Sequence, residues 1–222
     1  LGQLGAVGAD GRVAIKHKDI FRVPTFTDLY YLRMGNTNLK PEETSQYNVG
    51  VTWSSSCGDW LRHFSISADG YYNTVKDKIV ALPTMYVWKM MNMGEVDIKG
   101  VDVNLSTQFR LPLRMSLLLA STYSFQYAVD VTDPEAKNYK DQIPYTPRHS
   151  GTVSVTLENP WVNVSYILTA VGDRYALPQN IDRNRIDSYI EQSISINRDF
   201  RFRYFGLRLQ GELLNLANVN YD

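Results

Sequence analysis

The residues through which this chain would make or break bonds are few and scattered. They are His17, His63 and His149, Ser150 directly after the last of these, and an acidic set at Asp130, Asp133, Glu135 and Asp141. Neighbouring residues on a strand point to opposite faces, which spoils a base-to-nucleophile contact between His149 and Ser150. A histidine and a serine from adjacent strands would be the arrangement left to a membrane-barrel hydrolase, and the dispersed histidines give it no foothold. The four carboxylates could offer hard oxygen ligands to calcium, but they lack the spacing of a defined binding loop and read as a solvated acidic segment. Cys57 is the only cysteine, so neither an internal disulfide nor a cysteine-built metal site can form. No glycine-rich phosphate cradle sits between a strand and a helix. The expectation is a non-enzyme with no cofactor and no metal. A different chemistry is offered by Tyr30, Tyr31, Arg33, Trp88, Tyr139, Arg174, Tyr175 and Arg183. Aromatic faces and guanidinium forks of this kind suit a flat or anionic small ligand, and equally serve as interface anchors or solvated loop residues.

Those residues need elements to position them, and the composition limits which. The chain has 222 residues, with 23 Lys plus Arg against 23 Asp plus Glu. This balance creates no basic field for nucleic acid and no acidic tail. There is no run of about eighteen apolar residues, so a membrane-spanning helix is excluded. The opening LGQLGAVGADGRVAIKHK lacks the basic region, apolar core and cleavage site of a signal peptide.

Alternation at every second position dominates instead. In residues 113–128, Leu113, Met115, Leu117, Leu119, Ser121, Tyr123, Phe125 and Tyr127 oppose a face of small and polar side chains. The same split recurs at 64–74, 101–109, 152–158 and 205–213. It predicts nine strands, at roughly 12–22, 46–56, 60–81, 87–109, 112–129, 145–158, 161–175, 185–198 and 202–216. Short turns fall at SSCGDW, RLPL, ENPW and RDFR, and longer loops at 23–45, 82–86, 130–144 and 176–184. Strands running up and down would therefore gather every short turn at one end of a sheet and every long loop at the other.

Period two fits a soluble β-rich ligand-binding module, whose apolar face points inward, as well as a membrane barrel, whose apolar face meets lipid. Strand length favours the barrel: soluble strands cluster near five or six residues. A sixteen-residue strand tilted by about 45° would rise roughly 38 Å, more than the ~25 Å apolar band of such barrels. The aromatic residues support the same reading. Trp53, Trp60, Phe64, Phe109, Trp161, Phe200 and Phe202 lie near the short turns, and Tyr30, Tyr31, Tyr86, Trp88, Tyr127, Tyr145 and Tyr175 near the long loops, as two interfacial girdles would. Arg114, Arg208, Asp102 and Glu212 are expected to face a polar lumen.

The stretch FRVPTFTDLYYLRMGNTNLKPEETSQYNVGV is the most specific part of the chain. Pro24 fixes a corner and steers Val23 away from helix, Asn36, Asn38 and Pro41 shape a turn, and Glu42 and Glu43 are placed to pair with Arg22 or Arg33. Phe21, Arg22, Pro24, Thr25, Phe26, Leu29 and Tyr30, followed by Gly35, Asn36, Leu39, Lys40, Pro41 and Glu42, resemble a signature of TonB-dependent outer-membrane receptors. Further similarity lies in NMGEVDIKGVDVNL, QIPYTPRHSGTVSV, VGDRYAL and ELLNLANVNYD, in that order. The resemblance is strongest toward Bacteroidetes-type receptors grouped with cobalamin receptors. It implies an all-β, antiparallel up-and-down transmembrane barrel, of which the chain would supply about nine of 22 strands. It further implies that the plug domain and the final strands lie outside the chain. The implied function is energy-coupled uptake of a scarce nutrient (iron-siderophore, haem, cobalamin or glycan) across the bacterial outer membrane. The implied partners are membrane lipid, the receptor's own plug, TonB and the small nutrient ligand.

Overall fold

The computed structural model describes residues 9–57, 59–84 and 86–220. The sequence readings that touch residues 1–8, Tyr221 and Asp222, and the side chain of Cys57, lie outside the described residues. Nine strands form one sheet in which each pairs antiparallel with its neighbours. They are β1 (Ala9–Arg22), β2 (Glu42–Cys57), β3 (Leu61–Pro83), β4 (Trp88–Leu111), β5 (Met115–Asp130), β6 (His149–Glu158), β7 (Asn163–Val171), β10 (Tyr189–Arg201) and β11 (Gly206–Leu213). Between β7 and β10 the chain makes a separate two-stranded ribbon, β8 (Arg174–Tyr175) with β9 (Arg185–Ile186). A short helix, α1 (Phe26–Tyr30), follows β1. The sheet runs from β1 at one edge to β11 at the other and does not close on itself.

All nine expected strands are present, with the long loops at one end and the short turns at the other. The differences sit at the loop end. β2 begins at Glu42 rather than 46, because Glu42 to Ser45 pair with Arg22 to Asp19 although EETS has no apolar alternation to signal a strand. β6 begins only at His149, since Pro144 and Pro147 cannot donate to a ladder. β7 ends at Val171 and β10 starts at Tyr189, because Arg174–Tyr175 and Arg185–Ile186 pair with each other and leave the sheet. At the short-turn end β5 begins at Met115, and both Leu113 and Arg114 adopt left-handed backbone (φ 60° and 62°) in the hairpin turn. Arg114 is therefore a turn residue and not part of the lumen wall. Leu113 stands 73% exposed at the turn.

Register fixes the two faces, because residues opposite each other in a ladder share a side. Leu119 opposes Val155, Ser121 opposes Leu105 and Val153, and Phe125 opposes Val101; the same face continues through Val13, Ile15, Val49, Val51, Ile190, Ile196 and Leu209. Many of these apolar side chains are exposed. The opposite face carries Asp102 with Ser124, Asn104 with Thr122, Thr152 with Thr169, and Asp199 with Arg208. Glu212 lies there too, across from Ser195. An apolar sheet face this extensive greatly exceeds what a soluble monomer leaves to water. Leu117 and Phe125 sit on it, only half-buried, and are not enclosed in a core.

The aromatic girdles appear in altered form. Trp53 packs edge-on to Phe64 (5.3 Å), Trp60 stacks on Phe109 (5.6 Å) and Phe202 on Phe205 (4.7 Å), all at the short-turn end. At the other end the outward strand positions carry His17 stacked on Tyr47 (4.4 Å), with Tyr72, Tyr123 and Tyr127. From Leu117, opposite Phe109, to Tyr127 is ten residues of β5. This is roughly 34 Å of strand and about 24 Å of height at 45° tilt, close to the apolar thickness of a barrel.

The buried apolar cluster lies on the inward face at the loop end. Val75, Val96, Ile98 and Ala128 pack there with Met93 and with Ile143 from the 131–148 connection. β3 and β4, with 23 and 24 residues, run past the apolar band. There the folded-in loop covers the wall and excludes water, so the inner face turns apolar where a polar lumen was expected.

Candidate functional site: the loop layer

The 23–41 connection is a folded unit. Thr25 caps α1: its hydroxyl accepts from the Asp28 amide (3.2 Å), and the Asp28 carboxylate accepts from the Thr25 amide (2.9 Å). The chain then doubles back, with the Asn36 amide donating to the Asp28 carbonyl (2.9 Å) and the Gly35 amide to the Tyr31 carbonyl (2.7 Å). A Cβ at Gly35 would lie 2.6 Å from the Leu29 carbonyl oxygen, which is why a glycine stands there. Arg22 bridges Asp28 (3.4 Å) and Glu42 (3.5 Å), and Glu42 also accepts from the backbone amide of Ile79 (3.2 Å). The Thr25 backbone amide, helped by its hydroxyl and by Arg22, holds the Asp28 carboxyl below the usual carboxylate range against the opposing effect of burial.

Two asparagines clamp this unit to the extended ends of β3 and β4. Asn36 donates to the Met90 carbonyl (3.1 Å), while the Met90 amide donates to the Met34 carbonyl (2.9 Å). Asn92 accepts from the Lys40 amide (2.8 Å) and donates to the carbonyls of Lys40 (3.1 Å) and Asp77 (2.7 Å). Of the pairs expected from the sequence, Arg22 with Glu42 forms. Arg33 and Glu43 enter no ion pair among the described residues. Thr25-Phe-Thr-Asp28 is a capping-box spacing legible in the chain, whereas no local pattern marks Asn92.

The eight ligand candidates separate into groups. Trp88 packs at 5.6 Å on Tyr145, whose amide donates to the Tyr175 carbonyl (2.8 Å). Tyr145 and Arg183 line one open cleft of about 650 Å³ with Thr84, Leu177 and Arg185. Tyr30 and Tyr31 stand exposed at the end of α1, and Arg33 is exposed in a left-handed turn (φ 71°). Tyr139 lies under the Lys140 ammonium (5.2 Å) and lines a different cleft, of about 300 Å³, with Asn92, Thr132 and Asn138. Arg174, in the β8–β9 ribbon, is buried, its guanidinium 5.5 Å from the ring centroid of Tyr189 at the start of β10. Trp88, Tyr175 and Arg183 thus share a region, Tyr30, Tyr31 and Arg33 form a second, and Tyr139 and Arg174 stand apart.

The acidic segment has structural employment. Asp130 accepts from the Thr132 amide (2.9 Å) and hydroxyl (2.5 Å) and from Asn138 (2.9 Å); Asp133 accepts from the Glu135 amide (3.0 Å) and Asp141 from the Asn180 amide (3.0 Å). Among the described residues no group of three or more His, Cys, Asp or Glu is arranged to hold a metal ion. His149 lies outward, opposite Phe125, with its Nδ1 2.8 Å from the Tyr123 hydroxyl; Ser150 lies inward, opposite Ser124.

A wall of antiparallel strands, apolar outside and polar within, with turns at one rim and a folded loop layer at the other, is the wall of a transmembrane barrel. The chain belongs to the TonB-dependent receptor family: the family model described as TonB dependent receptor-like, beta-barrel, matches residues 18–216. Two vitamin B12 transporters, called BtuB, are similar to parts of it. The one from Photobacterium profundum is 33% identical over 88 residues, covering 37% of this chain and 14% of that protein. The one from Vibrio vulnificus is 33% identical over 85 residues, covering 37% and 13%. The matched parts thus span about a seventh of those relatives, and neither match bears on the narrower Bacteroidetes-type grouping. Among solved structures, the copper transporter OprC matches 99% of this chain and 33% of its own (TM-score 0.67, 16% identity). The ferric preacinetobactin receptor BauA of Acinetobacter baumannii matches 98% and 31% (TM-score 0.66, 11% identity). At these identities the structural matches speak for the fold.

Proposed function

We propose that this chain is the later part of the barrel of an outer-membrane receptor for energy-coupled uptake of a scarce nutrient. The observation that carries the reading is the family match over 18–216 on a sheet whose outward face is apolar and whose inward face is polar. The plug domain and the closing strands lie outside the chain, and TonB acts on the plug to bring inner-membrane energy to the barrel. The chain itself supplies wall and loop layer. Within that layer the cleft beside Trp88, Tyr145, Tyr175 and Arg183 is the ligand-facing candidate, because it joins aromatic faces to a guanidinium that forms no ion pair among the described residues. Cobalamin is the leading substrate, supported by the vitamin B12 transporters among the sequence relatives. Ferric siderophore, haem and glycan are the competitors.

The test is uptake by the full-length receptor in cells with and without TonB. Labelled cobalamin should accumulate only with TonB, and Arg183→Ala with Trp88→Ala should weaken surface binding while leaving the amount of inserted receptor unchanged. Accumulation independent of TonB would remove the energy-coupled reading, and uptake of a siderophore instead would remove cobalamin.

A further inference from the structure

The outward face of β4, β5 and β6 changes character in steps from the loop rim toward the bilayer centre. At the rim, Tyr127 is flanked by two cations: the Lys99 ammonium 5.1 Å from its ring centroid and the Arg148 guanidinium 5.2 Å from it. Both cations are exposed, and neither forms an ion pair among the described residues. Gln142, buried under the loop, accepts from Arg148 Nε (2.9 Å) and holds it in place. The nearest outward carboxylate along β4, Asp97, accepts from Thr74 (3.1 Å) and forms no ion pair with Lys99. Two residues deeper, His149 and Tyr123 share a hydrogen bond beside Phe125. At the level of Tyr123, Gly151 and Ala170 omit bulk from the sheet surface. They leave a largely apolar hollow of about 440 Å³ bordered by Tyr123, Val153, Leu168 and Ile190.

We propose that this face is a binding site for one acylated, phosphate-bearing lipid of the leaflet at the loop rim, with its phosphate on Lys99 and Arg148 and an acyl chain in the hollow at Gly151 and Ala170. Two independent observations agree on orientation. Two exposed cations outside any ion pair among the described residues fit a phosphate, and the hollow borders the outward apolar band that meets acyl chains. Tyr127, Tyr123 and His149 supply the amphipathic step between them. The inference rests on the membrane placement proposed above.

The receptor carrying this chain, solubilised in detergent, is titrated by native mass spectrometry with dipalmitoyl phosphatidate, dipalmitoyl glycerol and inorganic phosphate. Phosphatidate is expected to bind about tenfold or more tightly than the diacylglycerol, and inorganic phosphate not to displace it. Lys99→Gln with Arg148→Gln should bring phosphatidate down to the diacylglycerol level, and Ala170→Phe should weaken both lipids. Circular dichroism checks that each variant keeps its strands; should Ala170→Phe fail that check, the glutamine pair alone decides. Equal binding of the two lipids, or no effect of the glutamine pair, would reduce this face to general acyl contact and overturn the proposal. Displacement by inorganic phosphate alone would make it a free-anion site and overturn it likewise. A failure of the membrane placement looks different: the receptor would stay monodisperse without detergent and bind neither lipid.

Discussion

Replacing Asp28 with alanine removes the acceptor for the Thr25 amide and one of the two carboxylates on Arg22. Loss of a capping interaction of this kind costs about 0.5–2 kcal/mol, felt locally. Amide exchange across 26–36 should accelerate about tenfold while the strands keep their protection. The same carboxylate sets a pH dependence. Its folded pKa lies below its unfolded value of about 3.9, so its contribution is complete above that value and is lost as pH falls through the lower, folded one. Loop protection should therefore be flat from neutral pH down to about pH 4 and decline below it, and Asp28→Asn should remove that decline. Gly35→Ala tests steric fit instead of charge. The new methyl group would meet Leu29 and Tyr31 backbone atoms at 2.6 and 2.7 Å, which must move, at a cost of about 1–3 kcal/mol to the loop. A Gly35→Ala receptor with unchanged exchange in this loop would show that the chain does not double back here.

At the scale of elements, the 23–41 unit and the β3–β4 extension behave as one body because Asn92 ties Lys40 and Asp77 together. Asn92→Ala leaves their backbone groups to seek water and should cost about 1–3 kcal/mol. The Lys40 amide should lose protection, whereas amides in the membrane-facing parts of β3 and β4 should not. The alternating pattern showed that nine strands exist and which way each one faces. It did not show where they stop at the loop rim. Residues 174–175 and 185–186 alternate as well as any strand, yet pair with one another, and EETS has no alternation but joins a ladder. A period of two records the two sides of a strand and is silent about its partner.

For the molecule as a whole, the decisive question is what touches the outward face, and adjacent residues of β6 answer it. Val153 points outward, opposite Ser121, and Ser154 inward, opposite Ala120. Val153→Arg should lower the unfolding free energy in liposomes by about 2–4 kcal/mol if that face meets acyl chains near the midplane, and Ser154→Arg should cost far less. Equal penalties would contradict a lipid-facing surface. The sequence by itself determined the all-β class, the strand count, the two faces and the separation of short turns from long loops, because each is written in local periodicity and turn residues. The resemblance carried by Arg22, Pro24, Gly35 and Asn36 also named the family from the sequence. Only the tertiary structure decided that these residues build a loop clamped by Asp28 and Asn92, and that Trp88, Tyr175 and Arg183 converge while Arg174 is buried in the two-stranded ribbon. The inward apolar cluster beneath Ile143 likewise came from the fold alone. These are contacts between segments far apart in the chain, and their partners are set by how strands of unequal length overrun the membrane and fold their loops back, which no local pattern encodes.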